Sequence, residues 1–221
     1  MDIIVELSDY ICGIQQDKAL AIAFDGVDAS GKTTLANQVS EALVRRGKNC
    51  VRISIDKFHN PRAIRLRKGE LSPEGFFYDS FNLDKIVEYV LEPLRKGEGS
   101  LIDGIYDYKA DRELERPSIP VTSDLIVLFD GVFLHRDELA CYWDMSIFLD
   151  VSFDTVLQRA IERDAELFGS AEEVRRRYVD RYIPGERIYL SSCYPAQRAT
   201  IVIDNNDFNN KRIIKAPYPR V

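Results

Sequence analysis

The amino-acid sequence predicts an α/β fold, in which a mainly parallel sheet is covered by helices on both faces. Short apolar runs of strand length alternate along the chain with longer segments of helical periodicity, and this alternation favours parallel strands joined by crossover helices. Polar residues follow several of the apolar runs directly. In sheets of this kind functional groups gather at the carboxyl ends of the strands, so we expect a site along that edge.

The first half of the chain supplies two of the predicted strands. Residues 3–15 have the pattern of a short amphipathic helix, and residues 19–24 (ALAIAF) read as a buried strand. Helical periodicity then runs over residues 34–46. Residues 51–55 (VRISI) form the second strand, which ends at Asp56.

The second half continues the alternation after a polar, irregular stretch. Its elements are a helix at 83–94, a small strand-like excursion at 101–108, strands at 125–129 and 145–149, helices at 153–163 and 171–181, and a strand at 200–203. The predicted sheet therefore has five strands. We expect one domain over residues 1–221, because single cores grow to about 250 to 300 residues.

Composition excludes several classes of protein. The 221 residues are 45% apolar and 30% charged, with a formal net charge of −6. This charge argues against general attraction to nucleic acid or to a membrane. The four cysteines have no CxxC or zinc spacing, and no apolar run reaches the ~20 residues of a membrane helix. These features predict a cytoplasmic protein; its oligomeric state stays open, with a homo-oligomer among the states allowed.

A glycine-rich segment between the first strand and the next helix reads GVDASGKT and fits GxxxxGK[ST] at every fixed position. Its backbone N–H groups and the following helix N-terminus suit phosphate oxygens. The fold expected is therefore a three-layer α/β/α P-loop nucleotide-binding fold. The predicted nucleotide contacts are Gly26, Asp28, Ala29, Ser30, Gly31, Lys32, Thr33 and Thr34.

Three residues are predicted to handle the phosphates and their metal. Lys32 should bridge the β- and γ-phosphates, and the Thr33 hydroxyl should ligate Mg²⁺. Asp130 ends the strand at 125–129, which is the position from which an acidic residue reaches the metal or its water shell.

The motif alone does not separate a switch, a motor and a kinase. A guanine-nucleotide switch needs a DxxG turn beyond the loop and an NKxD reader, and the only Asp three residues before a Gly is Asp28, inside the loop itself. A small-molecule kinase needs a base near the γ-phosphate that accepts or orients the acceptor hydroxyl. Asp56, at the end of the second strand, is placed for this role.

Further segments strengthen the kinase interpretation. GVDASGKTT followed by SIDKFHNPR resembles the uridine kinase and phosphoribulokinase family of P-loop kinases. The resemblance covers residues 19–207 and continues through residues 78–81 (YDSF), 105–108 (IYDY), 128–132 (LFDGV), 157–164 (LQRAIERD) and 203–205 (IDN). It implies a helical lid and phosphate transfer from ATP, or GTP, to a hydroxyl of a small molecule.

The resemblance also implies roles for single residues. Asp56 matches the family's catalytic aspartate, which also lies at the metal site. Asp130 stands where the family has a Mg²⁺-binding glutamate. Arg159 and Arg163 match lid arginines that clamp phosphates, and Asn206 lies where such kinases hold the adenine edge.

The acceptor site departs from the family pattern. The acidic residue that holds ribose hydroxyls in uridine kinases is Phe76 here, and the histidine that reads the pyrimidine is Asp111. Candidate acceptor contacts are Asp79, Tyr106, Asp107 and Asp111. The acceptor is therefore a nucleoside, or a compound of the sugar phosphate, pantothenate or glycerate type. A nucleotide-binding regulator without acceptor chemistry is the other alternative.

A basic run follows Asp56 and consists of Arg62, Arg65, Arg67 and Lys68. It could receive an anionic substrate, or it could be an ordinary solvated loop.

Overall fold

The computed structural model describes residues 2–217. Helices α1 to α11 are, in chain order, Ile3–Cys12, Lys32–Arg45, Arg62–Arg65, Pro73–Asp79, Leu83–Ile86, Glu92–Lys96, Asp137–Ala140, Phe153–Phe168, Ala171–Arg177, Ile183–Cys193 and Pro195–Arg198. Strands β1 to β10 are Leu20–Gly26, Asn49–Ser54, Ser100–Ile102, Tyr106–Asp107, Arg112–Glu113, Ser118–Pro120, Leu125–Gly131, Met145–Asp150, Ile201–Asp204 and Arg212–Lys215.

The central sheet has six strands in the order β10-β9-β8-β1-β7-β2. The five predicted strands are all present and run parallel, which confirms the predicted fold class. The sixth, β10, pairs antiparallel with β9 at one edge. Sequence reading missed it because its four residues, RIIK, follow a polar loop and are mostly exposed, so they carry little hydrophobic pattern.

Two hydrophobic layers cover the sheet because its strands are buried on both faces. All seven residues of β1 are buried, and successive ones serve opposite layers. Ile22 and Phe24 pack with α1 and α2, whereas Ala21 and Ala23 belong to the layer that also contains Tyr189 of α10. This produces the predicted three-layer arrangement.

The lid helices are longer and less regular than predicted. The helix expected at 153–163 extends to Phe168 as α8. The helix expected at 171–181 begins as α9, widens into a π-helical segment at Tyr178–Tyr182 and continues as α10. The strand-like excursion is two small two-stranded sheets, β3–β6 and β4–β5. Within residues 2–217, no helix combines the length and apolar character needed to cross a bilayer.

Strand register brings the predicted site residues to one edge of the sheet. Asp130 on β7 is paired with Phe24 on β1 and with Ser54 on β2. Gly26 and Asp56 each follow one of these partners by two residues. The phosphate loop, the predicted metal residue and the predicted base therefore share the carboxyl edge of three adjacent strands.

Candidate active site

The phosphate loop leaves β1 and turns into α2. Gly31 has a φ of 91°, in the left-handed region that favours glycine. A Cβ at this position would lie 2.7 Å from the Phe208 ring and 2.8 Å from Asn205 Nδ2. Glycine is therefore required both for the turn and for the close approach of the loop that follows β9.

Lys32 is the first residue of α2, and its side chain folds back over the loop. Nζ donates to the carbonyl oxygen of Val27 at 3.0 Å, and the residue is 8% exposed. Among residues 2–217, no carboxylate lies within ion-pair distance of this ammonium. A buried cation without a counter-ion is costly, so the loop suits phosphate oxygens.

Asp130 and Thr33 form the predicted metal corner. Thr33 Oγ1 donates to Asp130 Oδ2 at 2.6 Å, and Arg52 Nη1 donates to Asp130 Oδ1. Asp130 is only 1% exposed, so this pairing holds a carboxylate that would otherwise be buried with its charge unbalanced. Sequence reading missed Arg52. Its position on the strand before Asp56 indicates an ion pair with Asp130 only once the pairing of β2 with β7 is known.

Asp56 lies in the single 3₁₀ turn at Ile55–Phe58, directly after β2. Its side chain is open to solvent but crowded by the walls of the cleft. This crowding, together with repulsion from Asp28 and Asp130, raises the pKa of Asp56 to about 6, while the charges of Lys32 and Arg163 act in the opposite direction. A carboxyl group with this pKa is suited to proton transfer near neutral pH.

The donor set around Asp56 fits Mg²⁺ bound together with nucleotide phosphates. Residues 2–217 contain no cluster of three or more His, Cys, Asp or Glu side chains that could hold a metal by themselves. Mg²⁺ prefers one or two carboxylates completed by phosphate oxygens and water. Thr33, Asp56 and Asp130 offer such a partial set, and a cation there would relieve the carboxylate repulsion.

Arg163, in the lid helix α8, faces the phosphate loop. Its guanidinium makes a two-pronged contact with Asp164 at 2.7 Å, donates to Tyr178 Oη at 3.1 Å and lies 3.8 Å from Asp28. Its side chain is 52% exposed, so part of the guanidinium remains available to a ligand in the cleft.

Arg159, one turn earlier on α8, lies in different surroundings. Its Nη2 donates to the carbonyl oxygens of Asn205 and Asn206 at 2.8 and 2.9 Å. Its guanidinium carbon is 3.6 Å from the centroid of the Phe208 ring. The structure thus groups Arg159 with the loop after β9, while Arg163 is grouped with the phosphate loop.

The loop after β9 holds the predicted base-binding residue. The Asn206 side chain is engaged locally, because Oδ1 accepts from Ser152 N at 2.9 Å and Nδ2 donates to Asp204 at 2.8 Å. Asn205 is fully buried, and its Nδ2 donates to the Ser30 carbonyl at 2.6 Å. The exposed aromatic surface beside Gly31 is that of Phe208. Sequence reading missed Phe208, because a lone aromatic in a polar loop shows no pattern.

A buried acid that was not predicted from the sequence forms a hydrogen bond with the phosphate loop. Glu186 of α10 is 0% exposed, and its Oε1 accepts the Asp28 N–H at 2.5 Å. Burial, together with repulsion from the neighbouring Asp28, raises the pKa of Glu186 to about 8. Glu186 is therefore neutral at pH 7.

We expect Glu186→Gln to keep the fold and to become more stable relative to the wild type as pH rises from about 5 to 8. The unfolded chain loses the Glu186 proton near pH 4.5, whereas the folded chain holds it until about pH 8. Stability conferred by the protonated acid is thus full below pH 4.5 and is lost as pH rises through 8. Glutamine keeps the acceptor and does not titrate.

Thermal unfolding of both proteins across this pH range tests the expectation. Glu186→Ala is the contrasting variant, and it should cost about 1–3 kcal/mol because the Asp28 N–H loses its buried partner. If the difference in stability between the wild type and Glu186→Gln did not change with pH, Glu186 would already be ionised in the folded protein.

A second buried network holds the start of the phosphate loop. Asp25 accepts the Gly26 N–H at 2.8 Å and receives His135 Nδ1 at 2.5 Å and the Tyr189 hydroxyl. His135 Nε2 lies 3.0 Å from Ser146 Oγ. These side chains are 0–5% exposed, so the network cannot meet a substrate and serves to fix the loop on the sheet.

The candidate acceptor residues lie around the excursion between β4 and β5 and the loop after Asp56. Tyr106 is buried and donates to Asp111 Oδ1 at 3.0 Å. Asp107 Oδ1 accepts two turn N–H groups, those of Lys109 and Ala110. Asp79 is 4% exposed and is paired with Arg67 at 2.5 Å and Lys68 at 3.3 Å.

His59 forms a wall of the same cleft. Its Nδ1 lies 2.9 Å from the Asp56 carbonyl oxygen, so that nitrogen carries the hydrogen, and Nε2 has no hydrogen-bond partner among residues 2–217. The ring packs between Phe81 and Tyr108, with centroids 4.5 and 4.6 Å away. Burial, together with the charges of Arg65 and Arg181, lowers the pKa of His59 to about 4, which keeps the ring neutral.

Comparison with known proteins agrees with this geometry. The model of the phosphoribulokinase/uridine kinase family matches residues 21–205. A uridine kinase of Leuconostoc citreum is 26% identical over 195 residues, which are 87% of this chain and 90% of that protein. Uridine-cytidine kinase B of Dictyostelium discoideum is 30% identical over 159 residues, which are 71% of this chain and 63% of that protein.

Among solved structures, that of a possible uridine kinase from Bacillus stearothermophilus superposes with a TM-score of 0.73 at 25% identity, covering 91% of this chain and 97% of that one. The predicted family is thereby confirmed. The chain belongs to the phosphoribulokinase/uridine kinase family and is a P-loop phosphotransferase that acts on a hydroxyl group.

Proposed function

We propose that this chain transfers the γ-phosphate of ATP to the hydroxyl of a small molecule, with Mg²⁺ at Thr33, Asp56 and Asp130 and with Asp56 as the base. One observation carries the proposal: the Asp56 carboxyl is crowded into the cleft that Lys32, Asp28, Asp130 and Arg163 surround, and these charges act on its pKa. A base and a phosphate cradle at one sheet edge are what phosphoryl transfer requires.

Different residues would serve different parts of the phosphoryl transfer. The loop N–H groups and Lys32 would hold the β- and γ-phosphates. Mg²⁺, when bound, neutralises charge on the phosphate oxygens. The acceptor oxygen attacks the γ-phosphorus in line, its new O–P bond forms as the bond to the β-phosphate oxygen breaks, and its proton passes to Asp56. Arg163 is placed to stabilise the charge on the transferring group.

The pH profile should report the ionisation of Asp56. Only the carboxylate can accept the acceptor proton, and the pKa of Asp56 is raised to about 6. Mg²⁺ bound beside Asp56 would stabilise the carboxylate, so with saturating ATP and Mg²⁺ we expect kcat/KM to stay level near neutral pH and to fall about tenfold per pH unit only below a break that lies under pH 6. An acid limb that Asp56→Asn retains with the same break would remove Asp56 from the role of base.

A panel assay tests the function itself. ATP and, in parallel, GTP are offered with nucleosides, pantothenate, glycerate and sugar phosphates, and phosphorylated product is measured with ADP release. We expect one class of acceptor to raise ADP release well above the background with water. ATP binding by calorimetry with no product from any acceptor would favour a nucleotide-binding regulator, the alternative suggested by Phe76 and Asp111.

A further inference from the structure

Arg181 is a buried cation that the proposed mechanism does not use. It lies in the π-helical segment Tyr178–Tyr182 and is 5% exposed. Its Nη1 donates to backbone carbonyls, at 2.7 Å to Glu70 and at 3.4 Å to Ser72. Within residues 2–217, no carboxylate comes within 4 Å of its guanidinium, so its charge meets only peptide carbonyls and the rings of Phe76 and Tyr182.

Arg65 is the second under-neutralised cation of this region. Its side chain is 15% exposed, and the nearest carboxylate oxygen, on Asp111, is 3.6 Å away. That oxygen already accepts the Arg62 N–H at 2.8 Å and the Tyr106 hydroxyl at 3.0 Å. The Nε of Arg65 is used by the Asn60 carbonyl at 2.8 Å. Asp111 therefore compensates Arg65 only in part.

The basic run after Asp56 thus has two kinds of member. Arg67 and Lys68 share the Asp79 carboxylate, and their side chains are 60% and 41% exposed, so the carboxylate and water together stabilise their charges. Arg65 is mostly buried and has only the shared Asp111 carboxylate within 4 Å among residues 2–217. Burial lowers the pKa of Arg181, and repulsion from Arg65 and Arg177 adds to this effect. Burying like charges with incomplete compensation is unfavourable, so the pair implies a missing anion.

Each arginine lies beside a position of the expected acceptor site. Arg65 Nη2 is 3.6 Å from the Asp111 carboxylate, and the Arg181 guanidinium lies 5.6 Å from the centroid of the Phe76 ring. Both charges also act on His59, which is bonded to the Asp56 carbonyl. Position 76 is where uridine kinases are expected to carry an acid, and an acid there would have supplied the counter-ion. With phenylalanine in its place, the net charge of this wall is positive.

We propose that the acceptor is an anionic hydroxyl compound, whose phosphate or carboxylate group binds between Arg65 and Arg181 while its hydroxyl reaches Asp56. Guanidinium groups suit both anions because their paired N–H donors match two oxygens. The inference rests on the proposed kinase function for the identity of the reaction, but the anion site can be tested without turnover.

The binding test uses inorganic phosphate as the probe. The protein is first saturated with Mg²⁺ and a non-hydrolysable ATP analogue, so that the phosphate loop is occupied, and phosphate is then titrated by calorimetry. We expect binding that Arg65→Met and Arg181→Met each weaken by about 10- to 100-fold, since each removes hydrogen bonds to a charged group. Acetate in a second titration distinguishes carboxylate from phosphate preference.

Arg62→Met is the matched control, because Arg62 is exposed in the same run and carries the same charge. Arg181→Lys keeps the buried charge if Arg181→Met does not fold, and it should still weaken binding because the forked geometry is lost. Absence of both phosphate and acetate binding in the wild type, or equal anion binding in Arg65→Met and Arg62→Met, would overturn the proposal.

Paired acceptors separate this inference from the proposed function. Glycerate is compared with glycerol, ribose 5-phosphate with ribose, and uridine serves as a neutral nucleoside. We expect kcat/KM for an anionic member to exceed that of its neutral partner by at least about tenfold. Uridine turned over as well as any anionic compound would overturn the anion site and leave the kinase intact. Phosphate binding that depends on Arg65, without turnover of any acceptor, would support the anion site and count against the kinase.

Discussion

Replacing Asp56 with asparagine is expected to lower kcat by about 100- to 10,000-fold while ATP still binds. Asparagine keeps the size of the side chain but cannot accept the proton of the acceptor hydroxyl. The Asp56 carboxyl makes no side-chain hydrogen bond within residues 2–217, and only its backbone is tied, through the Ser54 hydroxyl at 3.4 Å and His59 at 2.9 Å. The fold should therefore survive the change.

The experiment measures kcat, KM for acceptor and the dissociation constant of ATP for Asp56→Asn. Asp124→Asn is the control, since Asp124 is an exposed aspartate directly before β7, at the opposite end of this strand from Asp130, and its Oδ1 accepts from Thr122 Oγ1 at 2.5 Å. We expect Asp124→Asn to retain turnover within a few-fold. Equal activity in both variants would exclude Asp56 as the base, and loss of ATP binding in Asp56→Asn would make it a nucleotide or metal ligand first.

The fold and the phosphate loop could be predicted because their signals are local. Five apolar runs of strand length and an eight-residue motif are visible without any knowledge of distant contacts. Asp56 and Asp130 followed from the same logic, since each ends a strand of a parallel sheet. The antiparallel β10 could not be predicted, because an edge strand buries little and so has little hydrophobic pattern.

The supporting residues could not be predicted, because their roles come from contacts across long stretches of chain. Glu186 meets the loop 158 residues earlier, and Asn205 meets Ser30 from 175 residues away. An isolated acid or amide in a helical or polar segment looks like a surface residue. Arg181 is a further case: a basic residue in a lid helix is usually solvated, and only the fold reveals that it is buried.

Tertiary contacts also distinguish residues that look equivalent in the sequence. Arg159 and Arg163 are four residues apart on α8, and the family resemblance implies one role for both. The structure places the first against Phe208 and the second near Asp28. Likewise, the four basic residues after Asp56 look equivalent in sequence, yet only Arg67 and Lys68 pair with Asp79. Pairing, and not composition, decides which charges remain for a ligand.

Replacing Lys32 with methionine is expected to lower kcat/KM on the order of 1,000-fold or more, with weaker ATP binding. Lys32 is 8% exposed, and within residues 2–217 its ammonium has only the Val27 carbonyl as a hydrogen-bond partner, at 3.0 Å. Its charge is therefore held ready for phosphate oxygens, in surroundings where water screens it little. Methionine has a similar length, so packing under the loop is kept and the fold should be stable.

Lys18→Met makes the same change of charge and shape at the opposite end of β1. Lys18 pairs with Asp144 at 2.6 Å and its side chain is 45% exposed, so its loss should leave kcat/KM unchanged within a few-fold. Steady-state kinetics and ATP calorimetry on both variants, with thermal unfolding to verify the fold, complete the test. If Lys32→Met bound ATP and turned over as Lys18→Met does, the loop would hold the phosphates by its N–H groups alone, and the buried ammonium would need another explanation.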